Sequence, residues 1–121
     1  MLNNELLEKI SKVKKFLDDN FCNCPRIYEI ADMFDYDLRT LQNTFRLVYG
    51  CTIKEYIEKK RFEKLIELLR DPDNKNMSSF FFAVELGYKN ESGLYNLVKK
   101  MTNMTFLKFR ESVYDGSFAL P

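Results

Sequence analysis

One run of residue types occurs twice in this chain, once before its middle and once after. Ile30-Ala31, Asp35-Tyr36, Leu41, Phe45 and Gly50 make the first copy. Phe82-Ala83, Gly87-Tyr88, Leu94, Val98 and Asn103 make the second. The offset is 52 residues up to the tyrosine and 53 beyond it, so the copies differ by one residue at the turn. Two copies are too few for a solenoid; they suit two related subdomains. Each copy reads as a short helix with a small residue (Ala31 or Ala83), a tight turn and a second helix. Two helices crossing at about 90–120° need a small side chain where they touch. The turn needs a residue that tolerates unusual backbone angles, for which Gly87 is ideal and Asp35 tolerable.

The rest of the chain supports a helical reading. Leu6, Ile10, Val13 and Leu17 form one stripe of a helix over roughly 4–20. A loop broken by Pro25 leads to a short helix over about 27–34, with Ile27, Ile30 and Ala31 facing inward. Asp37 is the expected N-cap of a third helix carrying Leu38, Leu41, Phe45 and Val48 as core, ended by Gly50. Thr52 caps a long helix to about Leu69. Asp71 to Asn76 is the clear breaker. Helices at about 79–86, Asn90 to Met101 and Thr105 to Ser112 follow, with Leu94, Leu97 and Val98 as core, and Tyr114 to Pro121 reads as a tail. The expectation is an all-α fold of seven helices: a first helix-turn-helix subdomain over 1–51, a linker helix over 52–70, a second subdomain over 71–113 and a tail over 114–121. Only 4 Gly and 3 Pro in 121 residues argue against a turn-rich β-sandwich.

Composition narrows the functions. No apolar run approaches the roughly 18 residues a bilayer span needs, so no membrane partner is implied. The polar start MLNNELLEKI is unlike a secretory signal. Three cysteines, Cys22, Cys24 and Cys51, make a poor disulfide framework, and a reducing cytoplasm is expected. With no histidine a Cys–His zinc site is excluded. Cys22 and Cys24 read either as small buried or half-buried thiols or as a metal-binding or oxidant-sensing pair. No phosphate-cradling glycine loop and no nucleophile–base constellation is present, so neither catalytic residues nor cofactors are expected and an enzyme has little support. The formal net charge is only +1, against the strongly basic balance common in nucleic-acid-binding domains. What counts for such binding is the charge on one face.

The stretch IYEIADMFDYDLRTLQNTFRLVYGCTIKEYIEKKRFEKLIELL resembles the first half of the AraC/XylS-family DNA-binding domain. FAVELGYKNESGLYNLVKKMTNMTFLKFR resembles its second half. Both units and the helix between them occur in order, over about residues 5–112. The resemblance implies a cytoplasmic, nucleoid-associated transcription regulator in bacteria. It would be a monomer reading two successive major grooves of double-stranded DNA, about 34 Å apart. RNA polymerase or a separate sensor domain are the further partners it allows.

By position in that motif, Arg39, Gln42 and Asn43 of the first recognition helix face base edges, as do Glu91, Ser92, Tyr95 and Asn96 of the second. Gln and Asn can pair bidentately with adenine, and Arg with guanine or phosphate. Arg46, Lys99 and Lys100 are the phosphate contacts. The same polar residues, and the charge runs Lys59-Lys60 and Lys99-Lys100, also read as solvated helix faces. Asn43 and Asn96 stand where relatives often carry Arg, and Val98 where Phe is usual. Ser79 occupies an apolar position of the motif. Glu91 either accepts from a cytosine amino group or repels phosphate. These departures make the second unit the weaker match and motivate an alternative, a protein-interaction module with weakened DNA affinity. Arg61 lies on the apolar stripe of Ile57, Leu65 and Leu68, where a charge must be paired. Phe80, Phe81 and Phe82 cannot all point inward, because successive helical residues step about 100°. At least one of them is expected near the surface, half covered by the Tyr114–Pro121 tail or docking a partner domain or RNA polymerase.

Overall fold

The computed structural model describes residues 3–118, which form seven α-helices, one turn of 3-10 helix and no strand. They are α1 (Asn4–Asn20), α2 (Ile27–Met33), α3 (Leu38–Tyr49), α4 (Ile53–Arg70), α5 (Ser79–Glu85), α6 (Glu91–Thr102) and α7 (Phe106–Tyr114). The 3-10 turn, Pro72–Asn74, lies inside the expected breaker. The all-α, seven-helix expectation holds.

Short polar side chains set where the helices begin. Asn3, Asp37, Ser78, Asn90 and Thr105 each accept a hydrogen bond from a first-turn backbone N–H of α1, α3, α5, α6 and α7. At α4 the cap is reciprocal. The Thr52 hydroxyl accepts from the Glu55 N–H, and the Glu55 carboxylate accepts from the Thr52 N–H, both at 3.0 Å. α3 and α6 end on left-handed residues, Gly50 (φ 77°) and Asn103 (φ 63°). Their N–H groups return to the Arg46 and Lys99 carbonyls at 2.8 and 2.9 Å.

Packing divides the chain into two units, with the boundary inside α4 between Lys59 and Lys60. In unit 1, Ile10, Val13 and Leu17 of α1 are buried with Ile30, Ala31, Leu41, Phe45 and Ile53. In unit 2, Phe62, Leu65 and Leu69 of α4 are buried with Phe82, Ala83, Leu94, Val98, Phe106 and Phe109. Adding 52 to Ile10, Val13 and Leu17 gives Phe62, Leu65 and Leu69. Adding 53 to Ile53 gives Phe106. The repeat therefore extends over four helical segments, and α4 supplies the last segment of one unit and the first of the next.

The backbone repeats as closely. The Tyr36 N–H donates to the Ala31 carbonyl at 2.8 Å, and the Tyr88 N–H to the Ala83 carbonyl at 2.9 Å. Both turns contain a left-handed residue, Asp35 (φ 55°) and Gly87 (φ 92°), as the turn chemistry requires. A cation covers each turn tyrosine. Lys9 Nζ lies 4.8 Å from the Tyr36 ring centroid, and the Arg61 guanidinium carbon 4.7 Å from that of Tyr88. Arg61 is thus engaged, as its place on an apolar stripe demanded.

Some expectations need correction. Leu38, expected in the core, is 40% exposed. It shares the angular phase of Leu41 and Phe45 but sits in the first turn of α3, at the edge of the buried stripe. Tyr114, expected to open the tail, belongs to α7. Arg110 Nε donates to its hydroxyl at 2.8 Å, one turn apart, and past the cap Asp115 the backbone turns left-handed at Gly116 (φ 79°). Phe118, also assigned to the tail, packs its ring 4.9 Å from Phe109 and 6.2 Å from Phe62. The remaining tail, 119–121, lies outside the described residues. Of the three consecutive phenylalanines, Phe82 is fully buried and Phe80 is half exposed. Cys22, Cys24 and Cys51 are all of intermediate burial. Among the described residues no helix is long and apolar enough to cross a membrane.

Candidate nucleic-acid interface

α3 buries Leu41, Thr44 and Phe45, and this orients its other face. Arg39, Gln42, Asn43 and Arg46 are all exposed on that face. The helix holds two arginines and no acid, so the near-neutral total charge hides a local excess of two positive charges. Arg46 lies in the last turn, where a cation also complements the helix dipole.

α6 buries Leu94, Leu97 and Val98 and exposes Ser92, Tyr95, Asn96, Lys99 and Lys100. Glu91 is half-buried in the first turn, where a carboxylate is favoured by the helix dipole. That gives the anion a local reason to be there. Lys99 Nζ donates to the Asn103 carbonyl at 3.1 Å, folding back over the end of its own helix. Tyr95 is 45% exposed, its ring 6.1 Å from that of Phe106.

Beside each of these helices runs a groove. In unit 1 it measures about 250 Å³ and is lined by Gln42, Asn43, Arg46, Thr52 and Ile53. Adding 53 to each gives Tyr95, Asn96, Lys99, Thr105 and Phe106. All five line a groove of about 610 Å³ in unit 2, widened by Met104 and Leu107. The duplication therefore extends from core to surface, and the candidate residues sit in corresponding places in the two units. Within unit 1 the structure brings Gln42, Asn43 and Arg46 together. Within unit 2 it does so for Tyr95, Asn96 and Lys99.

Sequence reasoning missed part of these grooves. Thr52 and Thr105 were visible only as helix starts, although they also line the grooves, as do Ile53 and Phe106. Carrying the repeat past Gly50 and Asn103 would have found them. Gly93 also went unremarked. A Cβ built on it would lie 2.3 Å from Tyr88 Cδ1, so the tyrosine ring occupies the space a side chain there would need.

A family model described as a helix-turn-helix domain matches residues 30–112. The chain is 33% identical over 87 residues to Probable transcription factor PqrA of Proteus vulgaris, an overlap of 72% of this chain and 69% of that one. Its fold is similar to that of the DNA-binding domain of AdpA, a global transcriptional factor solved in complex with a target DNA. The TM-score is 0.74 and the identity 14%, over 85% of this chain and 90% of that one. It is also similar to the C-terminal domain of AraT, a response regulator from Geobacillus stearothermophilus (TM-score 0.71, 17% identity, 86% and 84% covered). A transcriptional regulator from Chromobacterium violaceum with an AraC-type DNA-binding domain gives a TM-score of 0.71 at 16% identity, over 92% and 96%. At such identities the solved structures speak to the fold alone.

Proposed function

The chain belongs to the AraC-type helix-turn-helix family, and we propose that it binds double-stranded DNA sequence-specifically in bacterial transcription regulation, as a cytoplasmic, nucleoid-associated protein without enzymatic activity. The observation that carries this reading is the exposed face of α3, where Arg39, Gln42, Asn43 and Arg46 lie on one side of a helix that itself contains two arginines and no acid. AdpA, whose fold this chain shares, was solved on its target DNA. Each recognition helix, α3 and α6, enters one major groove, and the preferred site holds two half-sites one helical turn apart.

In this reading Arg39, Gln42 and Asn43 read base edges, joined by Glu91, Ser92, Tyr95 and Asn96. Arg46, Lys99 and Lys100 hold phosphates. Lys99 exchanges its bond to the Asn103 carbonyl for a phosphate oxygen. The test is selection from random duplexes followed by binding titrations at several salt concentrations. A single enriched sequence is expected. Three phosphate contacts would give a slope of log affinity on log salt of about −3. No enrichment and no salt dependence would favour a protein-interaction module instead.

A further inference from the structure

We infer that Arg61, Tyr88 and Gly93 form a positioning stack, which sets where the first turn of α6 presents its side chains. The inference rests on the DNA-binding reading for its consequence, but on geometry for its existence. The Arg61 guanidinium carbon lies 4.7 Å from the Tyr88 ring centroid. The same ring comes so close to Gly93 that a Cβ there would meet Cδ1 at 2.3 Å and Cγ at 2.6 Å. These are atoms at the root of the ring, and only movement of the whole ring would admit a methyl group. The stack therefore joins α4 to the turn and the turn to α6. Gly93 follows Ser92 directly and precedes Tyr95 and Asn96 by less than one helical turn.

The other unit supplies the control. At the equivalent of Arg61, unit 1 has Lys9, which lies 4.8 Å from the Tyr36 centroid and donates to the Asp35 carbonyl at 2.9 Å. At the equivalent of Gly93 it has Thr40, whose N–H and hydroxyl both bond to the Asp37 carboxylate at 3.3 and 3.4 Å. The first turn of α3 is thus fastened by its own cap. In α6 the Asn90 cap reaches the Ser92 N–H, and the residue after it is a glycine. Glycine is a poor helix former, about 1 kcal/mol worse than alanine in a helix interior. The close approach of Tyr88 accounts for it at this site: the ring fills the space that a side chain would take, and so determines how near the turn and the helix lie.

The stack positions α6 and touches no DNA itself, so the readout is discrimination: the ratio of affinities for the preferred and a random duplex. Global unfolding lowers both affinities together and leaves the ratio unchanged, and unfolding of unit 2 alone would move the signals of α7 as well as those of α6. Gly93→Ala and Arg61→Leu should each lower the ratio about tenfold, the size of one good base contact. Arg61→Lys, which copies the Lys9–Tyr36 pair, should keep it near wild type. Without DNA, the amide NMR signals of Asn90–Asn96 should shift in Gly93→Ala and Arg61→Leu while those of α7 stay in place. An unchanged ratio in both variants would overturn the inference, as would unmoved α6 signals. If the wild type bound no duplex but the α6 signals moved, the stack would stand and the DNA-binding reading would fall.

Discussion

Units 1 and 2 close the same turn with the same hydrogen bonds, yet they fill their cores in opposite order. At one pair of equivalent positions unit 1 has Ile30 and unit 2 has Phe82; at another unit 1 has Phe45 and unit 2 has Val98. All four are fully buried. The large ring comes from the recognition helix in one unit and from the helix before it in the other. What the repeat preserves is the backbone bonding of the turn, the small Ala31 or Ala83 and a similar sum of core volume. Volume-conserving exchange is the change cores tolerate best. The surfaces then diverge freely: a small polar groove beside α3, and a larger one with Met104, Phe106 and Leu107 beside α6.

The largest expected effect breaks this compensation. Phe82→Ala and Phe45→Ala should each cost about 3–5 kcal/mol, the usual loss for a buried phenylalanine. Val98→Phe should overpack unit 2 by about 1–3 kcal/mol. Combined with Phe82→Ile it recreates the size order of unit 1 and should recover most of that loss. Urea unfolding of the single and double variants measures this. A double variant less stable than the sum of its singles would show that the two cores are different packings on one backbone.

The repeat also explains what the sequence made legible. Helices, caps and the left-handed turn residues follow from local chemistry, and Asp37, Thr52, Gly50 and Gly87 announced them. Core membership follows from helical phase except at helix ends, which is why Leu38 misled. The expected end of α7 fell two residues short at Ser112, although Arg110 and Tyr114 stand one helical turn apart and their contact continues the helical spacing to Tyr114. The proposed base readers were chosen by resemblance; the structure leaves Arg39, Gln42, Asn43, Ser92, Tyr95 and Asn96 exposed and Glu91 half-buried. The grooves beside them were hidden because their second walls, Thr52-Ile53 and Thr105-Phe106, read as helix starts.

A second, smaller effect concerns the division of labour on DNA. α3 offers Arg39, Gln42 and Asn43 without an acid, whereas α6 carries Glu91 and two terminal lysines. We expect unit 1 to supply most of the specificity, and unit 2 mainly to anchor while adding about one base contact of its own through α6. Gln42→Ala or Asn43→Ala should cost about 1–3 kcal/mol on the preferred duplex and relax base preference there. Lys100→Ala should weaken preferred and random duplexes alike and reduce the salt slope by about one unit. Glu91→Gln should raise affinity generally if the carboxylate only repels phosphate, and lower it on one sequence if it reads a cytosine. Equal behaviour of Asn43→Ala and Lys100→Ala on both duplexes would remove the distinction.

Alkali separates the units in another way. The Tyr56 hydroxyl donates to Asp18, whose other oxygen is 3.1 Å from Lys14 Nζ. Burial, chiefly, holds the Tyr56 and Tyr36 hydroxyls above their ordinary pKa, and the hydrogen bond to Asp18 chiefly raises that of Lys14. All three groups belong to unit 1. A group whose pKa is raised by folding contributes stability that is complete below its unfolded pKa and is lost as pH climbs through the folded value. Unit 1 should therefore weaken from about pH 10 upward. Tyr56→Phe should cost about 1–2 kcal/mol at neutral pH and flatten the alkaline decline. Urea midpoints followed by NMR signals from each unit test this; loss of unit 2 first would contradict it.

The smallest expected effect lies at the ends of the recognition helices. Gly50 and Asn103 occupy equivalent positions with φ of 77° and 63°, and both return their N–H to the last turn. A left-handed conformation costs an ordinary L-residue about 1–2 kcal/mol; asparagine tolerates it better than most, and glycine best. A Cβ at Gly50 would meet nothing within 4 Å, so only backbone strain opposes a side chain there. Gly50→Asn should therefore cost a few tenths to about 1 kcal/mol, and Gly50→Ala somewhat more. Asn103→Gly should run the other way, gaining less than about 1 kcal/mol because glycine also makes the unfolded chain more flexible. The Lys99 bond uses the backbone carbonyl of residue 103, so Asn103→Gly leaves that acceptor in place. Thermal unfolding should rank Asn103→Gly as the most stable of the three, then Gly50→Asn, then Gly50→Ala. A loss on Asn103→Gly as large as that on Gly50→Ala would mean that the Asn103 side chain holds the end of α6 through contacts of its own, and that the two helix ends are equivalent in backbone only.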